Sequence, residues 1–319
     1  MIPALLFTTL AQAAVVTPAV GDQPAAWQAW ASAAGTFRRD GGDPGPWQNV
    51  SHPGTERFEL TTPADFPNLR RIVNGHWVPV TDPLAAAQRL VEVRLNRISY
   101  DYIRSRNLYT VDGQKRAVAQ GKVEFPVGSI QLKAGWRPIS DSERARYHTM
   151  TLRLADGSTR LYGLTALNMA EKTRGGWRWT SFEHTDAAGE DAAGQHYRLR
   201  GTQTTYIDSA GQPVRLGNTE LEAGLGDSAS CMTCHARATL RVTPGEPERL
   251  PVFAPSPSGT RRGYVGTPDP DWFGHAEPDG NWRITYAALD FVWSLSQAAE
   301  HGPAHGPTPT PDSNSGSTP

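Results

Sequence analysis

Cys231, Met232, Thr233, Cys234 and His235 form a C-x-x-C-H run that contains both cysteines of the chain. Thiols three residues apart on a helical turn project toward one side, and the adjacent histidine follows them. This spacing suits two thioether bonds to the vinyl groups of a haem, with the imidazole as proximal iron ligand. Other chemistries use a C-x-x-C pair. A thioredoxin-like redox site expects a βαβ context and needs no histidine, and a zinc ribbon needs a second ligand pair that no further cysteine supplies. The motif therefore predicts one covalent haem c, with Cys231 and Cys234 as its thioether residues and His235 on the iron.

The opposite axial position has no equally clear occupant. No methionine follows Met232, whereas small electron-carrying cytochromes return one to the iron from further along the chain. His184 is the first choice of distal ligand. It closes the aromatic segment WRWTSFEH, in which Trp177, Trp179 and Phe182 would wall a haem crevice and Glu183 or Asp186 would orient the imidazole. His275 is the alternative, since it shares the haem-proximal segment with Trp272 and Phe273. His148, Met150, Met169 and His196 come next, and His52, His76 and Lys133 last. Each has a plainer role open to it as a solvated or hydrogen-bonded side chain, and the aromatic residues as core. The choice decides function. A His/Met pair raises the potential, His/His usually lowers it, and an open or water-occupied site admits small ligands or peroxide chemistry.

Around the motif, sequence periodicity predicts an α+β fold: a β-rich central sheet, a long helix in the N-terminal half and a C-terminal helical segment carrying the haem. The helix is expected from Pro83 to about Arg106, where Leu84, Ala87, Val91, Leu95, Ile98 and Tyr102 recur at three- and four-residue steps. Asp82 and Pro83 suit its N-terminus and Asn107 its end. The period then changes to two. Ile130, Leu132, Ala134 and Trp136 can share one strand face, and MTLRLAD and TRLYGLTAL flank a turn at Asp156-Gly157-Ser158. WRWTSFEH and HYRLRGTQTTYID add strands. Helix is expected again at the CMTCH motif and at YAALDFVWSLSQAA, from Tyr286 to Ala299.

The 319 residues carry 31 Lys plus Arg against 32 Asp plus Glu, with no long run of either sign. The electrostatic signature of a nucleic-acid binder is missing, so a redox partner protein or a small oxidant or reductant is the expected partner. Ile2 to Leu10, followed by Ala11-Gln12-Ala13, reads as a secretory signal over residues 1–14, although it lacks a basic leader. An exported, periplasmic location agrees with haem attachment outside the cytoplasm. No apolar stretch long enough to span a membrane follows. Residues 25–300 read as one haem-binding domain, with residues 225–300 as its attachment segment. The Pro-, Gly-, Ser- and Thr-rich tail at 301–319 has nothing to bury.

Several segments are unusual in combination: VRLNRISYDYI (93–103), FPVGSIQLKAGWRPI (125–139), YGLTAL, WRWTSFEHTD, LGNTELE, SCMTCHARA and LDFVWSL. Over roughly residues 80–295 the chain resembles a poorly characterised family of bacterial periplasmic mono-haem proteins, known only as cytochrome c family proteins. The familiar pattern continues FEH-x-D with Asn, where this chain has Ala187. The resemblance implies haem binding and export and brings no substrate with it. The expected function is periplasmic electron transfer, as a carrier or a redox subunit. The alternative is a haem-dependent oxidoreductase or small-ligand sensor in which His184, Glu183, Lys133 or Arg137 handles protons or an oxygen-derived ligand.

Overall fold

A computed structural model describes residues 25–30, 70–73, 76–79, 90–153, 158–186, 196–222, 228–244, 249–250 and 265–297. The signal expected at 1–14, the tail at 301–319, Asp82, Pro83 and His52 lie outside the described residues.

The described chain is mostly β-sheet. Its centre is an eight-stranded antiparallel sheet in the order β2-β1-β3-β4-β6-β7-β8, with β5 also paired to β6. These strands are β1 Arg70–Val73, β2 His76–Pro79, β3 Leu90–Leu95, β4 Ile130–Pro138, β5 Thr149–Arg153, β6 Thr159–Thr173, β7 Gly176–His184 and β8 Tyr197–Gln203. Between β3 and β4 come two short helices, α2 Arg97–Ser105 and α3 Val111–Ala119, after the helical turn α1 at residues 25–30.

The long N-terminal-half helix is not formed. Its described part splits into β3 and α2, for a reason that lies in two charges. Val91, Val93 and Leu95 alternate on one sheet face, while Glu92 and Arg94 occupy the other, almost fully buried. Arg94 donates to Glu92, and the Trp136 indole donates to the same carboxylate at 3.2 Å. A buried pair survives when each charge is matched and hydrogen-bonded. Asn96 then starts α2: its side-chain oxygen accepts from Ser99 N at 3.1 Å and from Ile130 N at 3.0 Å, tying the helix start to β4. Asn107 ends the unit at φ 54°, a left-handed position that Asn tolerates.

The C-terminal helical segment is also absent. Tyr286–Ala288 is a strand, β12, paired with β9 Thr239–Arg241, and Trp293–Gln297 is a 3-10 turn. Leu289, Val292 and Leu295 are all buried, and their three-residue spacing serves a 3-10 turn as well as an α-helix. A two-stranded ribbon, β10 Gly274–Ala276 with β11 Trp282–Ile284, lies just before them in the chain.

The sheet separates two apolar layers. Leu132, Ala134, Trp136, Met150, Tyr162, Leu164, Leu167, Met169, Phe182 and Tyr197 pack with Trp30 of α1 on one face. On the other, Leu95, Ala170, Trp177 and Trp179 pack with Ile103, Leu108, Val111, Phe125, Cys231, Met232 and the chain from Leu289 to Leu295. The second face carries the motif.

Gly113 tests this packing. By helix propensity alone, Gly113→Ala would stabilise α3 by about 1 kcal/mol. A Cβ there would overlap the Asn107 carbonyl, reaching its carbon at 2.6 Å. The expected result is a lower melting temperature than the parent chain, read by circular dichroism.

Candidate functional site

The motif itself is a helix of five residues, α4 Cys231–His235. A helix this short does not stand alone, so its neighbours must hold it. Ser230 caps it, accepting from Thr233 N at 3.2 Å. The Gln203 side chain at the end of β8 donates to Ser230 Oγ at 2.7 Å and accepts from Met232 N at 3.2 Å. Thr233 Oγ1 donates to Gly266 O at 2.5 Å, and Trp293 Nε1 donates to Cys234 O at 3.2 Å.

His235 is fixed at its Nδ1, which lies 2.8 Å from the carbonyl of Phe291. A carbonyl can only accept, so Nδ1 carries the proton and the Nε2 lone pair is available. Burial holds the imidazole down to about 4, against the opposing effect of that hydrogen bond, and it is neutral at pH 7. The ring rests 5.6 Å from Trp179, whose indole is also 5.5 Å from Phe291. His235 and Cys234 keep some accessible surface even though desolvation dominates their ionisation.

The carbonyl is presented by a costly turn. Asp290 and Phe291 both have positive φ, 49° and 67°, and each such residue stores about 1–3 kcal/mol of strain. The Asp290 carboxylate supplies the compensation. It accepts from Phe125 N at 2.6 Å, from Lys172 Nζ at 2.8 and 2.9 Å, and from Trp177 Nε1 at 3.0 Å. Leu289 N adds a bond to Ala238 O at 2.8 Å.

Both cysteines are unlinked thiols. Burial pushes Cys231 well above its ordinary value and Cys234 up to about 11. A redox-active C-x-x-C needs the opposite, a stabilised thiolate. Among the described residues no three His, Cys, Asp or Glu side chains are grouped so as to hold a metal ion. The Cys231 thiol donates to Leu216 O at 3.1 Å, a carbonyl that also receives Cys231 N at 2.9 Å. Forming a thioether would leave that carbonyl satisfied. Trp179 Nε1 and Asn168 Oδ1, on the same sheet face, are buried with no hydrogen-bond partner among the described residues. A large cofactor with polar edges would give such atoms partners. These features fit a covalently bound haem.

His184 and the motif are not brought together. Along β7, Trp177 and Trp179 face the motif, whereas Phe182 packs in the opposite layer. His184 has the parity of Phe182. It stacks on Tyr147 at 3.8 Å and lies 3.1 Å from Arg146 O through Nε2. His148, Met150 and Met169 lie in or against that same far layer. His275 stands exposed on the β10–β11 ribbon, 3.5 Å from Glu277. His196 stacks near His184, and no side chain is described for His76. Glu183 faces away from His184 and accepts from Thr219, and Asp186 is exposed. Arg137 sits with Glu143 and Tyr147.

Of the suggested ligands, only Lys133 shares the motif's face. It is the cross-strand neighbour of Asn168, and its ammonium meets Glu222 at 2.9 Å. Glu222 also accepts from Asn168 Nδ2 and Asn218 N. Lys133 and Glu222 both act electrostatically on Cys231 and His235. The sequence reading missed Asp290, Asn218 and Glu222. Residue parity alone would have separated Trp179 from His184, but no local pattern marks Asp290.

No protein-family model matches the chain, and no curated protein or solved structure does so either. The likeness to periplasmic mono-haem proteins thus rests on the shared segments alone.

Two outcomes follow from these contacts. Asp290→Ala leaves Lys172 without its partner and releases the turn, and should lower stability by about 3 kcal/mol or more in denaturant titrations. For His184, burial outweighs its bond to Arg146 O and holds it down to about 4, below its ordinary 6.5. Its contribution is complete above pH 6.5 and is lost as pH falls toward 4, because only the unfolded chain takes up the proton in that window. His184→Phe should therefore reduce the pH dependence of stability there by roughly one proton.

Proposed function

We propose that the chain is an exported c-type haem protein that transfers single electrons. The observation carrying this reading is the 2.8 Å contact between His235 Nδ1 and Phe291 O. It leaves a neutral imidazole with its Nε2 lone pair available beside two unlinked thiols. Metal-bound histidines almost always donate the other ring N–H to a carbonyl or carboxylate in this way.

Cys231 and Cys234 would hold the haem covalently and His235 would bind its iron. When bound, the haem supplies a one-electron redox centre. The protein's own contributions are separate. Phe291 O fixes the tautomer and ring orientation of His235 and raises its basicity. Trp179 packs against the ring, and Trp293 holds the last turn of α4. Export is part of the proposal, because covalent attachment takes place outside the cytoplasm. No described helix is long and apolar enough to cross a membrane. The redox partner is a protein or a small oxidant or reductant.

An open-site enzyme or sensor is favoured by one feature, the Lys133–Glu222 pair on the motif's face, where the described side chains of the sheet include no His or Met. Absorption spectra of the purified protein in both oxidation states separate the readings. Chain that keeps its haem after denaturation, and loses it in Cys231→Ser/Cys234→Ser, supports covalent attachment. Chain purified from a haem-attaching host without haem contradicts it. Reduced protein that refuses carbon monoxide supports electron transfer, and prompt binding favours the open site. Because His184 lies across the sheet, His184→Ala should leave the haem spectrum unchanged.

A further inference from the structure

A cleft of about 510 Å³ opens where the β6–β7 turn meets the segment after α3. Arg106, Lys122, Lys172 and Arg174 line it, against the single carboxylate of Glu124. Glu124 pairs with Lys122 at 2.8 Å, and Asp290, from beneath, pairs with Lys172. Arg106 and Arg174 remain without an opposing carboxylate among the described residues. Arg106 lies over the Tyr102 ring at 5.6 Å and donates to its hydroxyl, and Arg174 is exposed in the turn. The chain as a whole has a formal charge of −1, so any attraction for anions is local. At physiological salt, charges farther than about 8 Å are screened, and a docking partner responds to the cleft more than to the net charge.

The cleft is connected to the motif by aromatic rings. Phe125 forms part of its lining and lies 6.1 Å from Trp177. Trp177 lies 6.1 Å from Trp179, and Trp179 lies 5.6 Å from His235. The rings run through the buried layer on the motif's face of the sheet. Val127, beside the cations, is 56% exposed and gives the rim a small apolar contact. A cationic rim with a small apolar patch, joined by packed rings to a redox centre, suits brief docking of a protein that delivers charge.

We propose that this cleft is the docking edge for an acidic one-electron carrier protein, and that the Phe125–Trp177–Trp179 series couples it to the group held by His235. The inference rests on the haem reading. The step is a one-electron exchange: the reduced carrier is oxidised, the bound group is reduced, and no proton or leaving group moves.

The test uses the full-length holoprotein and its Lys122→Glu/Arg174→Glu variant, both changes being in exposed side chains. The rate at which ferricyanide oxidises the reduced protein should fall with ionic strength. At low salt the variant should react about five-fold more slowly. Tris(phenanthroline)cobalt(III), a cation, should not be slowed. Poly-L-glutamate should inhibit the ferricyanide reaction of the parent protein and leave the variant unaffected. Equal ferricyanide rates in the two proteins would overturn the docking edge. Slowing by the substitutions without competition from polyglutamate would make the cleft a small-anion site and overturn the protein partner. Polyglutamate binding, followed separately by calorimetry, reports on the cleft even if the chain holds no haem. Loss of haem attachment with binding intact would sink the haem reading alone, and absence of binding would sink the docking edge.

Discussion

The hydrogen bond from His235 Nδ1 to the Phe291 carbonyl depends on a turn the backbone does not favour. Two successive residues other than glycine in left-handed conformation cost about 1–3 kcal/mol each, so contacts from elsewhere must hold them. The Asp290 carboxylate gathers those contacts. Its partners, Phe125, Lys172 and Trp177, are 165, 118 and 113 residues away in the chain. They come from the end of the α2–α3 unit and from the β6–β7 hairpin. The sheet, the helical unit and the C-terminal segment therefore all meet at one carboxylate, one residue from the carbonyl that orients the imidazole. A five-residue helix placed late in the chain is held by structure assembled mostly before it.

The sheet also acts as a partition. One face is closed by α1 and a core containing Met150, Met169 and Phe182, with His148 and His184 against it. The other bears the motif, Trp177, Trp179 and the polar group of Lys133, Asn168 and Glu222. Alternation along a strand thus decides which side chains can approach the motif. Among the described side chains it removes His184, Met150 and Met169 from His235, and leaves a lysine and a carboxylate there. Under the proposed haem reading, that polar group is what the sheet itself would present to the bound group.

Some of the local structure was legible in the sequence because it is local, such as the short helix at Cys231–His235 and the strand Ile130–Pro138. C-x-x-C-H is read from five consecutive residues, and the alternation around Leu132 and Trp136 marks a strand directly. Leu90–Leu95 was not legible as a strand. Glu92 and Arg94 look like a solvated helix face until Trp136, 44 residues from Glu92, is seen to share the buried carboxylate. Tyr286–Ala299 failed differently: its spacing of apolar residues suits several conformations, and Asp290 chooses among them through distant partners. His184 failed on parity. Trp177 and Trp179 carry odd residue numbers in β7, and Phe182 and His184 even ones, so a regular strand cannot place all four on one wall.

The orientation of His235 can be measured directly by nitrogen-15 NMR of the imidazole in the folded, haem-free chain at neutral pH. A neutral ring protonated at Nδ1 is expected, and Asp290→Asn should weaken that preference by loosening the turn. A ring protonated at Nε2, or an imidazolium at neutral pH, would contradict the view that the Phe291 carbonyl prepares His235 as a ligand.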